Sequence, residues 1–232
     1  MIRRISNWLK QNKHAWLALY LPIYLIGFFW VESYVPSDSN YWVSYTPLDD
    51  LIPFVEYFVI PYYLWYPFMV VTGLYLLFHD APAFSRYMIA IAVSFTASIL
   101  FFALFPNGQN LRPAVFERDN IFTRMMGLIY AADTNTNVLP SIHVIGSALV
   151  VFALFDTKCF KARRFAWMKA GAVLLAILIT LATVFVKQHS VLDIYAGLIA
   201  CIPLYFLIYN KKMRAWPDRT FGKPAAGKPA AA

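Results

Sequence analysis

Charged residues are scarce in this 232-residue chain, where Asp, Glu, Lys and Arg together make up 14%, compared with about 25% in an average soluble domain. Apolar residues make up 60%, against about 45–50% in soluble domains, and the mean hydropathy is +0.56. This composition excludes an ordinary soluble domain and predicts an integral membrane protein.

Cysteine is also rare, with only Cys159 and Cys201. The first falls in a polar stretch and the second within an apolar run, so neither a disulfide nor a cysteine metal site is predicted. The first apolar run is too long for a signal peptide and no small-residue cleavage site follows it, so no cleavable signal peptide is expected. Repetition is limited to the GKPAA motif in residues 222–232.

The apolar residues are grouped into six runs. A membrane-crossing helix needs about 17–25 apolar residues; five runs satisfy this, and the run at 143–155 does so only if its helix begins near Pro140. The sequence therefore predicts an all-α integral membrane protein with six transmembrane helices. The runs cover residues 16–33, 57–78, 87–105, 143–155, 170–186 and 191–209.

The chain divides into three predicted parts. Residues 1–15 place apolar side chains at helical spacing among cations, which favours either a helix on the membrane surface or a frayed start. Residues 16–210 are predicted to form the six-helix transmembrane domain. Residues 211–232 are predicted to be a disordered, basic cytoplasmic tail. Two longer loops, 34–56 and 106–142, fall on the side opposite to the termini.

The distribution of cations predicts the orientation in the membrane. Sixteen of the twenty Lys and Arg residues fall on the side of the N-terminus if the helices alternate in direction, and the other four are Arg112, Arg118, Arg124 and Lys187. Cations concentrate on the cytoplasmic side, so both termini are predicted to be cytoplasmic. The net charge of +8 is assigned to topology and to contact with anionic lipids, and no nucleic-acid partner is expected.

Polar motifs collect at the predicted outer ends of the helices: NLRP (110–113), NVLPSIHV (137–144) and KQHSVLD (187–193). His189 and Asp193 are four residues apart, so on one helix they share a face. Asp193 can then accept the proton of one imidazole nitrogen and leave the other nitrogen free to attack. The alternative is a hydrogen bond at a helix interface, without chemistry.

The candidate site also includes Ser141, His143, Arg112 and Lys187. Pro140 and Ser141 are typical of a helix start, where free N–H groups bind anions, and His143 could protonate a departing oxygen. Arg112 could bind two phosphate oxygens, and Lys187 could add charge or extend to the membrane surface. The structural alternatives are a neutral interfacial histidine at 143 and an ordinary loop arginine at 112.

Together these residues predict phosphoryl transfer that requires no metal or other cofactor. The competing interpretation is a metal site formed by His143, His189 and Asp193. Arg112 weighs against it, because a fixed cation beside a metal ion is costly unless an anion lies between them.

The order Arg-Pro, Pro-Ser-x-His and His-x-x-x-Asp resembles the type 2 phosphatidic acid phosphatase superfamily, whose motifs K-x6-R-P, P-S-G-H and S-R-x5-H-x3-D lie on a six-helix core. The resemblance implies that His189 is the nucleophile, Asp193 its orienting carboxylate and His143 the general acid. The matching positions are Arg112 and Pro113, then Pro140, Ser141 and His143, then His189 and Asp193.

The chain departs from these motifs at four positions. Phe105 stands at the lysine of the first motif, Ile142 at the glycine of the second, and Ala182 and Thr183 at the Ser-Arg of the third. Two phosphate-binding cations are therefore missing. The motifs PSIHV and KQHSVLD resemble more closely the branch with inositol phosphorylceramide synthases and sphingomyelin synthases, which transfer a head-group phosphate to a lipid alcohol.

The resemblance implies a membrane enzyme that hydrolyses a phosphate ester or pyrophosphate of a lipid at the outer leaflet, through a phosphohistidine. One alternative is transfer of a phosphorylated head group to a lipid alcohol. Another is a transporter of an anionic lipid without enzymatic activity, which internal repeats would favour, and the helices show no repeat. The expected partners are the lipid substrate and membrane lipids, and no oligomeric state is predicted.

Overall fold

The computed structural model describes residues 2–35 and 40–221, apart from the side chains of residues 2–6, 211, 218 and 221. Most of the described chain is α-helical. The helices are α1 (Ile2–Gln11), α2 (Tyr20–Tyr34), α3 (Leu48–Leu51), α4 (Val59–His79), α5 (Ala81–Leu104), α6 (Ile121–Ala132), α7 (Ile142–Asp156), α8 (Ala166–Phe185), α9 (Val191–Tyr209) and α10 (Lys211–Phe221). Short 3₁₀ helices cover Lys13–Leu19, Glu56–Phe58, Lys158–Phe160 and Arg163–Phe165. Strands β1 (Trp42–Val43) and β2 (Asn107–Gly108) pair in parallel.

Five helical segments of the described chain are long and apolar enough to cross a membrane, which indicates an integral membrane protein. The sixth predicted span forms α7, which has 15 residues and is about 22 Å long, shorter than the roughly 30 Å of hydrocarbon in a bilayer. The five segments are Lys13–Tyr34, Glu56–His79, Ala81–Leu104, Arg163–Phe185 and Val191–Tyr209.

Helix α5 begins earlier than its apolar run predicts, at Ala81 rather than at residue 87. Asp80 caps the helix by accepting the Ala83 N–H. The first turns therefore include Arg86, which is buried because its Nε lies 2.6 Å from an oxygen of Asp156 on α7. A charged residue that interrupts the hydropathy pattern is thus accommodated inside the helix by an ion pair.

Helix α7 lies at the centre of the bundle and packs against α4, α5, α8 and α9. Two glycines permit its close contacts. A Cβ atom on Gly146 would lie 2.7 Å from Met69 Sδ on α4, and one on Gly197 of α9 would lie 3.1 Å from the Ser141 carbonyl oxygen. The start of α7 is consequently held tightly between α4 and α9.

The bundle has two ends, which we call the polar end and the terminal end. At the terminal end, His14 contacts the Leu77 carbonyl at 3.0 Å, and Arg86 donates to the carbonyl of Arg214 on α10. The N-terminal and C-terminal helices therefore lie at the same end. The polar end comprises residues 40–56, 106–141 and 186–190, and the terminal end comprises residues 79–81 and 156–165 with α1 and α10.

Three short helices refine the predicted organisation. Residues 2–11 form α1, the helical one of the two alternatives for the N-terminal segment. Helix α10 corrects the predicted disordered tail, because residues 211–221 are helical; residues 222–232 lie outside the described residues. Helix α6 lies within the predicted loop and begins with a capping box at Asn120.

Candidate active site

His189, Asp193 and His143 meet at the polar end. His189 Nδ1 lies 3.2 Å from Asp193 Oδ2, and His189 Nε2 lies 3.3 Å from His143 Nδ1. All three residues are buried, with exposed fractions of 5%, 0% and 6% in the same order. They form one continuous chain, carboxylate to imidazole to imidazole, along which protons can be shared.

The turn after α8 directs His189 towards this chain. The His189 N–H donates to the Thr183 carbonyl at 3.0 Å. Lys187 adopts a left-handed conformation with φ 54°; its N–H donates to the Val184 carbonyl at 3.2 Å, and the Gln188 N–H donates to the Thr183 carbonyl at 2.9 Å. This arrangement matches the Schellman motif that ends many helices. A side chain in the left-handed region costs roughly 1–2 kcal/mol, so the surrounding contacts must hold the turn in place.

Asp193 is fixed by the capping box that starts α9. Its Oδ2 accepts the Ser190 N–H at 2.8 Å, and the Ser190 hydroxyl accepts the Leu192 N–H at 2.9 Å. Its Oδ1 accepts the hydroxyl of Ser44 at 2.5 Å. Because Asp193 Oδ2 lies next to Nδ1, it favours the tautomer of His189 that carries its proton on Nδ1, which leaves the lone pair of Nε2 available.

Ser44 is a site residue that sequence reasoning missed. It lies in residues 41–52, which we call the strap, and its N–H donates to the Gly108 carbonyl at 2.7 Å as the chain leaves β1. Farther along the strap, Asp49 Oδ1 accepts the N–H of Val191 at 2.8 Å. The strap therefore covers the start of α9 and Asp193. No local sequence signal marks Ser44, because its partner lies 149 residues away.

Lys187, predicted to bind phosphate, instead holds the strap. Its ammonium group donates to the carbonyls of Asp49 at 2.9 Å and Ile52 at 2.5 Å. Burial lowers the pKa of Lys187, and the nearby carboxylates of Asp49 and Asp50 oppose that shift. The structure thus brings Lys187 to the end of α3 and not to the imidazole pair.

Arg112 likewise donates most of its hydrogen bonds to other groups of the protein. Its guanidinium donates to the carbonyls of Tyr130, Asp133 and Thr134 and to Gln188 Oε1, and its Cζ lies 4.5 Å from the centre of the Tyr130 ring. Only its Nε is buried without a hydrogen-bond partner among the described residues. Arg112 therefore contacts the neighbour of His189, and a role in phosphate binding depends on this one N–H group.

A polar cavity of about 580 Å³ lies beside Arg112, walled by residues 109, 110, 112 and 130–135. Asp133 lies in the wall, with its Oδ2 3.4 Å from Gln188 Nε2. Burial, with a smaller contribution from Glu32, raises the pKa of Asp133 to about 6, which the charges of Arg112 and His189 only partly offset. Gln188 contacts both Arg112 and Asp133 in the cavity wall. It also directly precedes His189 in the chain, so it links the cavity wall to the predicted nucleophile.

The start of α7 presents polar atoms that lack partners. Ser141 Oγ, His143 Nε2 and Trp65 Nε1 are buried and have no hydrogen-bond partner in the described part of the chain. The His143 ring lies 4.5 Å from the Trp65 ring and 4.6 Å from the Tyr62 ring, between centres. Buried polar atoms in native proteins are nearly always hydrogen-bonded. These atoms could satisfy a ligand that carries several acceptor oxygens.

The comparisons add no relative to this picture. No protein-family model, curated protein or solved structure matches the chain. Within residues 2–35 and 40–221, no group of three or more His, Cys, Asp and Glu side chains is arranged to hold a metal ion. The geometry of the site and the resemblance of its motifs therefore remain as the indications of function.

Proposed function

We propose that this protein is a membrane lipid-phosphate phosphatase that hydrolyses a phosphate ester or pyrophosphate of a lipid through a phosphohistidine at His189. The observation that carries the proposal is the buried chain of Asp193, His189 and His143, next to polar atoms without partners at the start of α7. The order of the three motifs supports the same chemistry. No metal or other cofactor enters the proposal.

In the first step, the lone pair of His189 Nε2 attacks phosphorus, and the bond between phosphorus and the ester oxygen breaks. Protonated His143 gives its proton to that oxygen, so the lipid alcohol leaves as a neutral molecule. Water then attacks the phosphohistidine, His143 takes one proton from it, and the phosphorus–nitrogen bond breaks to release phosphate. Asp193 holds the Nδ1 proton of His189 throughout. The phosphate must first separate the two rings, whose nitrogens are 3.3 Å apart.

Neutral donors supply most of the stabilisation of the phosphate in this proposal. Ser141 Oγ, Trp65 Nε1 and the N–H groups at the start of α7 can donate to phosphate oxygens, with the positive end of the helix dipole behind them. Arg112 Nε is the cationic donor with an unused N–H. Preorganised donors of this kind are effective because water is excluded from the site.

A second candidate is transfer of a phosphorylated head group to a lipid alcohol. The polar cavity of about 580 Å³ favours it, because water alone needs no such space, whereas a head group needs a polar pocket next to the phosphorus. His189 would then carry the head group and its phosphate, and a lipid alcohol would replace water in the second step.

We propose that the polar end faces the extracytoplasmic side and that α7 is the sixth span. The support is the charge asymmetry, since sixteen of the twenty Lys and Arg residues fall on the side of the N-terminus when the helices alternate in direction. The test places single cysteines at Val115 and at Ala162, in a background without Cys159 and Cys201. An impermeant maleimide should label Val115→Cys in intact cells, and Ala162→Cys only after the membrane is broken. The reverse pattern would put the site in the cytoplasm.

The function is tested by incubating the purified protein with a panel of lipid phosphates, with and without a lipid alcohol, and measuring free phosphate and new lipid. His189→Ala should lower turnover by roughly five to six orders of magnitude, and adding Asp193→Ala should cost little more, because the residues act as a unit. Excess EDTA should leave the rate unchanged.

His79→Ala is the matched control, because that histidine lies at the terminal end, and it should keep normal turnover. The proposal is wrong if His189→Ala retains substantial activity while its thermal unfolding matches that of the wild type.

A further inference from the structure

An apolar groove of about 890 Å³ runs along the bundle between α5 and α9, with α7 as its floor. Small side chains open it: Ala97 on α5 faces Ala196 and Ala200 on α9. Ile145 of α7, with 1% of its surface exposed, lies at the bottom. The helices do not close over this space because these three positions carry alanine.

The groove ends next to the candidate site at the polar end. Leu139 and Pro140 form its wall there and directly precede Ser141, whose hydroxyl is buried without a partner among the described residues. On α9, Asp193 and Leu207 lie on the same face as Ala196 and Ala200, at helical spacing. Asp193 and the groove wall therefore share one face of α9, and this face is about 21 Å long from Asp193 to Leu207.

The chemistry of the wall restricts what can occupy it. None of the described residues that line the groove is charged. The Ser94 hydroxyl donates to the Ala90 carbonyl at 2.7 Å on its own helix, so it is already satisfied. A phosphate or a charged head group would lose its hydration here without compensation, whereas a hydrocarbon chain brings no polar group that needs a partner.

We propose that the groove binds one hydrocarbon chain of the phosphorylated lipid on which His189 acts. This proposal rests on the proposed function, because it takes the bound lipid to be the substrate. The chain lies against α5 and α9, and the lipid passes the start of α7 at Ser141, so that its phosphate reaches the imidazole pair. Trp65 and Tyr62, which flank His143, are not among the residues that line the groove.

The first test measures binding without turnover. A lipid phosphate with a diazirine at the end of its acyl chain is photolysed with the purified His189→Ala protein, and the cross-linked peptides are sequenced. Labels should fall on the groove-lining faces of α5 and α9, and unlabelled lipid phosphate should compete with them. Labelling elsewhere, or equal competition by phosphatidylcholine, would overturn the proposal, since the groove would then hold an ordinary bilayer lipid.

The second test fills the groove. Ala200→Phe should lower kcat/KM for a long-chain lipid phosphate by roughly tenfold or more, because even one misplaced methylene in an apolar pocket has an effect of this order. A short-chain, water-soluble analogue with the same phosphate should be unaffected. The matched control is Ala170→Phe, at an exposed position on α8. Equal losses for both substrates, or no loss for either, would contradict the proposal.

The two proposals fail in different ways. If the wild-type protein turns over no lipid phosphate, but the photoreactive lipid still labels α5 and α9 with the expected competition, then the enzymatic proposal fails and the binding groove stands. If turnover is normal and the label maps elsewhere, only the groove assignment fails.

Discussion

Each end of the bundle contains a deeply buried carboxylate, and the two are compensated in opposite ways. At the terminal end, Asp156 pairs with Arg86 at 2.6 Å and with Arg214 at 3.1 Å. At the polar end, Asp193 accepts a hydroxyl from Ser44, a backbone N–H and an imidazole, none of them a permanent cation.

The difference separates a structural charge from one available for chemistry. Two guanidinium groups pair with Asp156 and tie α5, α7 and α10 together, so most of the effect of this carboxylate's charge is compensated by permanent cations. Neutral donors orient Asp193 without cancelling its charge, which remains free to polarise His189. The polar end also holds the partnerless atoms of Ser141 and His143, next to the imidazole that Asp193 orients.

Asp156→Ala tests this comparison with the largest expected effect. It leaves Arg86 buried without its carboxylate, and breaking a buried ion pair in this way costs roughly 3–5 kcal/mol of stability. Asp193→Ala should cost only about 1–3 kcal/mol, because the partners left behind are mostly neutral. Thermal unfolding in detergent measures both.

Activity should show the reverse order. Asp193→Ala should lose roughly four orders of magnitude in kcat, as expected when a nucleophile system loses its orienting carboxylate, whereas the Asp156 variant should keep its activity per folded molecule. Combining Asp156→Ala with Arg86→Met should restore much of the stability. Equal destabilisation by the two single changes would contradict the division between the ends.

Asp133→Asn should have an effect of intermediate size on stability, and this effect should depend on pH. Its pKa is raised to about 6, so the folded state binds this proton more tightly than the unfolded state does, and its contribution to stability falls as pH rises from about 4 to 6. Asp133→Asn removes the ionisation and should stabilise the protein by about 1–3 kcal/mol at pH 7. At pH 4.5 the gain should be small.

Thermal unfolding of the wild type and the variant across this pH range tests the sign directly. A difference between the two proteins that does not change with pH would show that ionisation of Asp133 does not oppose folding.

A change at Ser44 tests whether its hydroxyl orients Asp193, and it should have the smallest effect of these variants. Ser44→Ala removes one of the donors to the carboxylate, worth about 1 kcal/mol, and should lower kcat by roughly tenfold. Ser44→Thr keeps the hydroxyl and should recover most of the rate. Equal rates for Ser44→Thr and Ser44→Ala would show that the hydroxyl does not orient Asp193.

The sequence predicted the long helices well, because a membrane-crossing helix is a local pattern of apolar residues. It placed the start of α5 too late, since a hydropathy pattern treats Arg86 as a helix boundary and cannot detect the distant Asp156 that permits its burial. The tail was predicted to be disordered from its composition, although residues 211–221 form a helix whose backbone contacts Arg86.

The candidate site was predictable where spacing along the chain carried the information. His189 and Asp193 are four residues apart on either side of a helix start, and membrane topology brought His143 to the same end. The destinations of Lys187 and Arg112 were not predictable, because their partners are backbone carbonyls, which every residue possesses and no sequence motif marks. Ser44 reaches the site through a two-residue strand pairing, which is too short to leave a pattern.

The length of α7 determines how deep His143 lies relative to the ends of the neighbouring helices. Helix α7 has 15 residues, whereas α4 and α5 have 21 and 24, and at the terminal end it is level with α5, where Thr157 contacts Asp80 at 2.7 Å. It therefore stops about 9–14 Å below the other ends of these neighbours, so His143 lies below the level of those ends. Under the proposed function, the phosphate of the lipid reaches the imidazole pair at this lower level. Membrane thickness, through hydrophobic mismatch, should then change the rate of the proposed reaction.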